Sequence, residues 1–332
     1  MRNEAAEPTK PAGPRDADAP RRTRAGTVAL AGPPNAGKST LLNALLGEKL
    51  SIVSSRAQTT REPVTGILTT EDAQLIFVDT PGLLEPKYAL QEAMYEAALA
   101  VLRDADTILL LLDGTRPGDV PTGEAQEILK ARRSNIVAAV NKTDIASSDG
   151  PKNLGYWVGR ELGQEAALIA AASGEGVDAL RDVLIEGLPE HPFYYDADEL
   201  ATQPVRFFVT ELVRETVFEE YEQEVPYSTA VRIEEFREAD DPVYIRATVY
   251  VERDSQKAIV IGEAGQGIKR LGERARRKIE EFLDRRVYLA LWVKTMPNWR
   301  RRESSLRHLG YPVWKPRARP GRDESSPRGA GT

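Results

Sequence analysis

The octapeptide Gly32-Pro33-Pro34-Asn35-Ala36-Gly37-Lys38-Ser39 constrains this chain more than any other stretch. Its spacing is G-x-x-x-x-G-K-S, a loop whose backbone N–H groups close around a polyphosphate. The apolar run 27–31 before it has the pattern of a buried strand, and the run 40–46 after it has the pattern of a helix. Strand, loop and helix in that order put the loop at a helix N-terminus, where partial positive charge favours phosphate. In this reading Asn35, Ala36, Gly37 and Thr40 supply loop contacts. Lys38 reaches the β- and γ-phosphates, and the Ser39 hydroxyl binds Mg²⁺.

The 332 residues suggest two domains. Between about 27 and 188, short apolar runs alternate with helical patterns. Strands are expected at 27–31, 64–69, 75–79, 107–113, 136–141 and 168–170, with helices at 38–46, 90–103, 122–132, 154–163 and 177–186. That alternation predicts an α/β domain over 26–190, a mostly parallel sheet with helices on both faces. Such sheets hold ligands beyond the carboxyl ends of their strands. Residues 1–25 are rich in Pro, Ala, Arg and Asp without periodicity and read as a disordered tail; 313–332 read as a second, basic one. Residues 191–204 read as an acidic, proline-punctuated linker.

The pattern then changes. A helix is expected over 205–221 and strands over 229–236 and 244–253. An apolar run follows, ending in Gly262-Glu263-Ala264-Gly265. The next segment places Ile268, Leu271, Ala275, Ile279 and Phe282 at helical spacing, with Lys269, Arg270 and Arg274 among the cations on its other sides. A strand over 287–294 closes an α+β domain spanning 205–312.

The formal net charge of −6 hides an asymmetry. Residues 244–302 carry 15 Lys/Arg against 7 Asp/Glu, so the rest of the chain is acidic. A basic segment on an acidic protein suggests a localised polyanion site. Cysteine is absent, which excludes disulfides and thiol catalysis; with only His191 and His308, a multi-histidine metal site is also excluded. No apolar run approaches the ~20 residues of a membrane span. The first two dozen residues lack the apolar stretch of a secretory signal, so a cytoplasmic location is expected.

Two further motifs fall at expected strand ends. Asp79-Thr80-Pro81-Gly82 offers a carboxylate that can hold the Mg²⁺ shell through water and an N–H that can sense a γ-phosphate. Asn141-Lys142-Thr143-Asp144 offers a carboxylate for guanine N1–H and the 2-amino group, an asparagine for the purine edge and the loop, and a lysine stem to lie over the ring. Adenine lacks both donors in that arrangement.

Together these elements resemble the translation-factor class of P-loop GTPases. Gln58-Thr59-Thr60-Arg61 fits the family's switch I segment, where a threonine completes the Mg²⁺ shell; Thr60 is favoured, with Thr59 second. The resemblance implies roles in hydrolysis for Lys38, Thr60 and Gly82. It also implies guanine contacts from Ala170 and Ala171, the latter through its N–H, where the family usually has Ser-Ala. Leu83 stands where Ras-like proteins carry the glutamine that orients water, so slow intrinsic hydrolysis is expected. A monovalent cation such as K⁺, held partly by Asn35, is one expected helper.

The C-terminal pattern resembles a KH domain of αββααβ order, in which the G-x-x-G backbone approaches single-stranded nucleotides. With the runs 251–257 and 289–294, the chain from about 26 to 311 is identified as a member of the Era family of bacterial ribosome-assembly GTPases. That resemblance implies GTP/GDP and Mg²⁺ as ligands. It further implies a monomer that binds small-subunit ribosomal RNA near its 3′ end and assists assembly of the 30S subunit, with peripheral association at the inner face of the cell membrane. Gly262, Glu263, Ala264, Gly265, Lys257, Lys269, Arg270 and Arg274 are the expected RNA contacts. Glu263 departs from the usual basic or polar residue: either neighbouring cations compensate, or it faces a base amino group. The competing readings are a membrane-associated signalling GTPase using the basic domain on anionic lipid or a protein partner, and an RNA-binding scaffold with a vestigial nucleotide site.

Overall fold

The computed structural model describes residues 23–52 and 59–313. Gln58 and most of both expected tails lie outside the described residues. The N-terminal domain is β1 (Arg24–Ala31), α1 (Lys38–Leu46), β2 (Val64–Thr69), β3 (Ala73–Asp79), α2 (Ala89–Asp104), β4 (Thr107–Asp113), α3 (Gly123–Ala131), β5 (Ile136–Asn141), α4 (Asp149–Leu162), β6 (Ala166–Leu168) and α5 (Val177–Glu186). The six strands form one sheet in the order β2-β3-β1-β4-β5-β6, parallel except for β2 against β3. β4 is buried along its whole length, as its unbroken run Ile108–Leu112 requires of a strand covered on both faces. One core lies between the sheet and α1 and α5, around Leu30, Leu41, Phe77 and Leu184. The other lies beneath α2, α3 and α4, around Ala29, Leu99, Leu110 and Leu154.

Three of the boundaries that differ from expectation have a physical reason in the structure. β1 starts at Arg24, inside the expected tail, because the Arg24 N–H bonds Asp72 O and Ala25 is fully buried. α4 starts five residues before the expected 154. The Gly150-Pro151 pair reads as a breaker, but proline is tolerated in a first helical turn, where N–H groups have no partner anyway. β6 ends at Leu168, since Ala170 already pairs across a tight turn with Glu175.

The stretch expected as a linker is bound rather than free. The Gln74 side chain, fully buried, accepts from the Tyr194 and Tyr195 N–H groups and donates to Tyr195 O. Farther along, Ile67 N–H donates to Leu200 O, and Thr65 N–H donates to Gln203 Oε1. These bonds cover the open edge of β2, which would otherwise present unpaired backbone groups.

The C-terminal domain is α6 (Val205–Glu220), β7 (Ala230–Arg237), β8 (Val243–Val251), α7 (Asp254–Ile261), α8 (Gln266–Leu283), β9 (Val287–Thr295) and α9 (Glu303–Leu309). β7 and β8 are antiparallel, and β8 and β9 are parallel, so the chain must cross over between them; α7 and α8 are that crossover. Ile245, Ala247, Val249 and Val251 of β8 face α6, α7 and α8 in a third core. A fourth core joins the two domains. Leu90 and Met94 of α2 pack with Ala230, Tyr250, Leu306, Leu309, Tyr311 and the fully buried Trp299. The Trp299 indole N–H donates to Ser228 O at 2.8 Å. Trp299→Ala should therefore lower the unfolding free energy by about 3–5 kcal/mol in urea titration. A loss under ~1 kcal/mol would mean that this core does not hold the domains together.

Candidate functional site

A cavity of about 470 Å³ opens at the carboxyl end of the parallel strands. Asn35, Gly37, Lys38, Ser39, Thr40, Thr59, Thr60, Gly82, Asn141, Lys142, Asp144 and Ala171 line it. Segments far apart in sequence thus share one wall. Gly37 (φ 97) ends the loop before α1; a Cβ there would sit 2.2 Å from Asn141 Nδ2. Asn35 adopts φ 64, a left-handed conformation that asparagine tolerates better than most residues.

The phosphate end centres on Lys38 and Asp79, both buried. The Lys38 ammonium donates to Gly32 O at 3.1 Å and Pro33 O at 2.9 Å. Burial pulls its pKa down to about 8, with the Asp79 charge working the other way. Burial pushes Asp79 up, opposed by Lys38 and by the Ser39 and Thr60 hydroxyls. Asp79 Oδ2 accepts from Ser39 Oγ at 2.6 Å and Thr60 Oγ1 at 3.3 Å, and those two hydroxyls are 3.0 Å apart. Among the described residues Asp79 Oδ1 is buried without a hydrogen-bond partner. An all-oxygen set with one unsatisfied carboxylate oxygen fits a hard divalent cation such as Mg²⁺. Thr60 rather than Thr59 brings its hydroxyl here; Thr59 lends its carbonyl to Arg214 instead.

Gly82 packs so tightly on Pro34 that a Cβ would meet its backbone at 2.7 Å. Leu83 turns away from the cavity. Its N–H donates to Gly32 O at 3.0 Å, and its side chain lies in the core with Ala29 and Leu99.

The base end is organised by Asn141, also buried. Its Nδ2 donates to Ala36 O at 2.8 Å, and its Oδ1 accepts from the Ala171 N–H at 2.9 Å. The second bond corrects the expectation for Ala171, whose N–H is already engaged. Ala172, next in the chain, lines the cavity. Ala170 is not in the wall: it is buried, and its N–H donates to Glu175 O. Ala36, fully buried, contributes its carbonyl rather than a cavity surface. Lys142 Nζ donates to Asp113 Oδ2 at 2.7 Å. Burial pushes Asp113 up, but Lys142 and Thr115 outweigh it and hold the carboxyl low. Arg116 and Ile145 also line the cavity. Neither belongs to a motif, so no pattern in the sequence points to them.

The second candidate site is the turn between α7 and α8. Gly262, Ala264 and Gly265 all have positive φ (71, 48 and 79). A Cβ on Gly262 would meet Gly267 N at 2.7 Å, while Gly265 faces open space. Glu263 and Ala264 are exposed. Lys257 lies on α7, half-buried, and Lys269 is exposed on α8. Helical spacing puts Lys269 on the flank of Arg276 and Glu280, and Glu280 accepts from the β9 residue Val287. Arg270 and Arg274 lie on the other flank. Arg274 pairs with the nearly buried Glu220 of α6, and Arg270 stands 3.8 Å from the same carboxylate. The periodicity that marks them as cations does not show that α6 supplies their counter-charge.

Residues 27–142 match the family model described as a 50S ribosome-binding GTPase, and 224–300 match a KH domain. Among curated proteins, GTPase Era of Leuconostoc citreum (strain KM20) is 39% identical over 296 residues, covering 87% of this chain and 96% of that protein. The chain belongs to the Era family. Two solved Era structures agree over 87% of this chain and 99% of theirs. The first, with MgGDPNP and nucleotides 1506–1542 of 16S ribosomal RNA, superimposes with TM-score 0.81 at 39% identity. The second, a point variant of Aquifex aeolicus Era bound to GDP.AlF4⁻, gives TM-score 0.79 at 38% identity.

In this family member the loop after the cavity threonine enters the C-terminal domain. Arg61, 5% exposed, donates to Thr229 O at 2.7 Å, to Pro226 O and Tyr227 O at 3.3 Å, and to Tyr311 Oη at 3.1 Å. Its guanidinium also lies 5.6 Å from the centre of the Trp299 ring. From the other side Arg214 of α6, 1% exposed, reaches Thr59 O and pairs with Glu211. Arg61→Ala removes at least one charge-assisted hydrogen bond, worth about 1.5–3 kcal/mol. Amide exchange at 227–229 should speed up accordingly, while α1 and β5 stay as protected as in the wild type. Unchanged exchange at 227–229 would disprove the connection.

Proposed function

We propose that this chain is a GTP-hydrolysing switch that binds small-subunit ribosomal RNA through its KH domain and assists 30S subunit assembly in the cytoplasm. The observation that carries this reading is the Asn141 bridge, which ties the phosphate loop to the base loop in the wall of one cavity. Asp144 reads guanine N1–H and the 2-amino group. The Ala172 N–H serves O6, since that of Ala171 is engaged by Asn141. The Lys142 stem, held by Asp113, lies over the ring. Lys38 exchanges its carbonyl partners Gly32 and Pro33 for phosphate oxygens, and the Gly82 N–H meets the γ-phosphate. Mg²⁺ would be held by Ser39 and Thr60, with Asp79 through water, and supplies charge neutralisation on the phosphate oxygens. A water oxygen attacks the γ-phosphorus, the bond to the β–γ bridging oxygen breaks, and GDP and phosphate leave. Lys38 and the loop N–H groups stabilise the charge moving onto GDP.

Among the described residues no helix is long and apolar enough to cross a membrane. The G-x-x-G turn, whose Gly262, Ala264 and Gly265 hold a positive-φ backbone at the domain surface, favours RNA over lipid.

Asp144→Asn exchanges an acceptor for a donor. It should move nucleotide preference from GTP to XTP, with GTP affinity falling about 10- to 150-fold for one lost charge-assisted contact. Calorimetry with GTP, XTP and ATP checks this; equal binding of GTP and ATP by the wild type would end the guanine assignment.

For RNA, Ala264→Asp is the cleaner variant. Its left-handed backbone suits aspartate, whereas a side chain at Gly262 would break the turn itself. It should abolish binding of short single-stranded RNA and leave GTP affinity intact. Lys269→Ala should cost more than Arg270→Ala, whose guanidinium already has Glu220 beside it. Filter binding at two salt concentrations measures both, and the opposite order would place the phosphates on the α6 side.

A further inference from the structure

The three-stranded sheet has two faces: one carries the third core, and the other is covered by the fourth core at Ala230 and Tyr250 but exposed at Tyr288 and Trp292. On the other, Tyr244 of β8 pairs in register with Tyr288 of β9, and Thr248 pairs with Trp292. Tyr288 is 58% exposed and Trp292 57%. The Tyr244 and Tyr288 rings stack, with centroids 5.6 Å apart at 11°. The Arg237 guanidinium lies 4.9 Å over Tyr244. Tyr288 and Trp292 alternate in phase on the edge strand, about 13 Å apart at ~3.3 Å per residue. Two large aromatics left in water on one strand are unusual where the other face of the same sheet packs on a core.

Cations outnumber carboxylates around them: Arg237 and Arg246 flank Glu235, Arg232 pairs with Glu234, and Lys294 follows Trp292 on the same face. Cations beside flat, exposed rings suit a polyanion that carries π-faces of its own. α7 and α8, which hold the G-x-x-G turn between them, pack on the opposite face of β9, so the turn and these rings flank one edge strand. A strand of RNA leaving that turn across the β9 edge comes onto Tyr288 and Trp292.

We propose that this open sheet face is a second RNA subsite, on which Tyr288 and Trp292 stack bases of single-stranded RNA that extends beyond the G-x-x-G groove. Arg246 and Lys294 accompany its phosphates. The inference rests on the KH domain being an RNA reader, and it concerns the length of RNA that the protein holds.

The test compares the full chain with two unstructured RNAs, one filling the groove (about four nucleotides) and one about 20 nucleotides long. Fluorescence anisotropy reads the affinities of the wild type, Tyr288→Ser/Trp292→Ser, Tyr288→Phe/Trp292→Phe and Ala264→Asp. The wild type should bind the long RNA at least about tenfold more tightly than the short one. The serine pair should lose most of that advantage, since each stacked base contributes to affinity. Its short-RNA and GTP affinities should be unchanged, and the phenylalanine pair should recover the advantage. A serine pair that binds the long RNA like the wild type overturns the subsite, and the face would then belong to a protein partner. Failure of the underlying reading looks different: Ala264→Asp would bind the short RNA normally.

Discussion

One buried guanidinium joins the two halves of this protein. Arg61 sits among carbonyls of the segment 226–229, the Tyr311 hydroxyl and the Trp299 ring, almost wholly removed from water. A buried cation is tolerated only when its hydrogen-bonding directions are filled, so the chain around it has little freedom. The neighbouring groups follow the same logic. Glu62, next in sequence, is pushed up to about 7 by burial and by the nearby Glu211 charge, with Arg214 and Arg61 pulling it back down. Two arginines and two carboxyls thus meet where the switch segment crosses from one domain to the other.

The position of Arg61 matters because Thr60 precedes it. The Thr60 hydroxyl sits on Ser39 and Asp79 while the next side chain is enclosed by the KH domain. The short segment from Thr59 to Arg61 therefore touches both sites. A nucleotide shifts the domains only as far as it binds two placements of Thr60 with unequal affinity. No long relay is needed, since a displacement of one residue at the cavity reaches the Arg61 socket directly.

The sequence made the chemistry of the nucleotide cavity readable, because phosphate and guanine recognition demand fixed residue types at fixed strand ends. Lys38, Ser39, Asp79, Asn141 and Asp144 could be named before any coordinates, and so could the parallel sheet, whose strands are continuous apolar runs. Long-range pairings within motifs were not readable. Nothing in the order of residues tells that Asn141 engages the Ala171 N–H, that Glu220 of α6 faces Arg270 and Arg274, or that Gln74 fastens the linker to the sheet. Those are tertiary facts, set by how helices fall on one another. Even α9 carries too little periodicity in seven residues to stand out from a loop.

Leu83 belongs to the same architecture. Its N–H is fixed to Gly32 O, and its side chain fills the core between β1 and α2. A glutamine at this position would have to bury its amide among Ala29, Ala31 and Leu99 or break the packing that holds Gly82 against Pro34. Water orientation therefore cannot come from the residue 83 side chain while the segment after Gly82 keeps this path. Leu83 thus anchors the segment after Gly82 in the core of the sheet, while Thr60, next to Arg61, is a cavity residue that borders the KH domain.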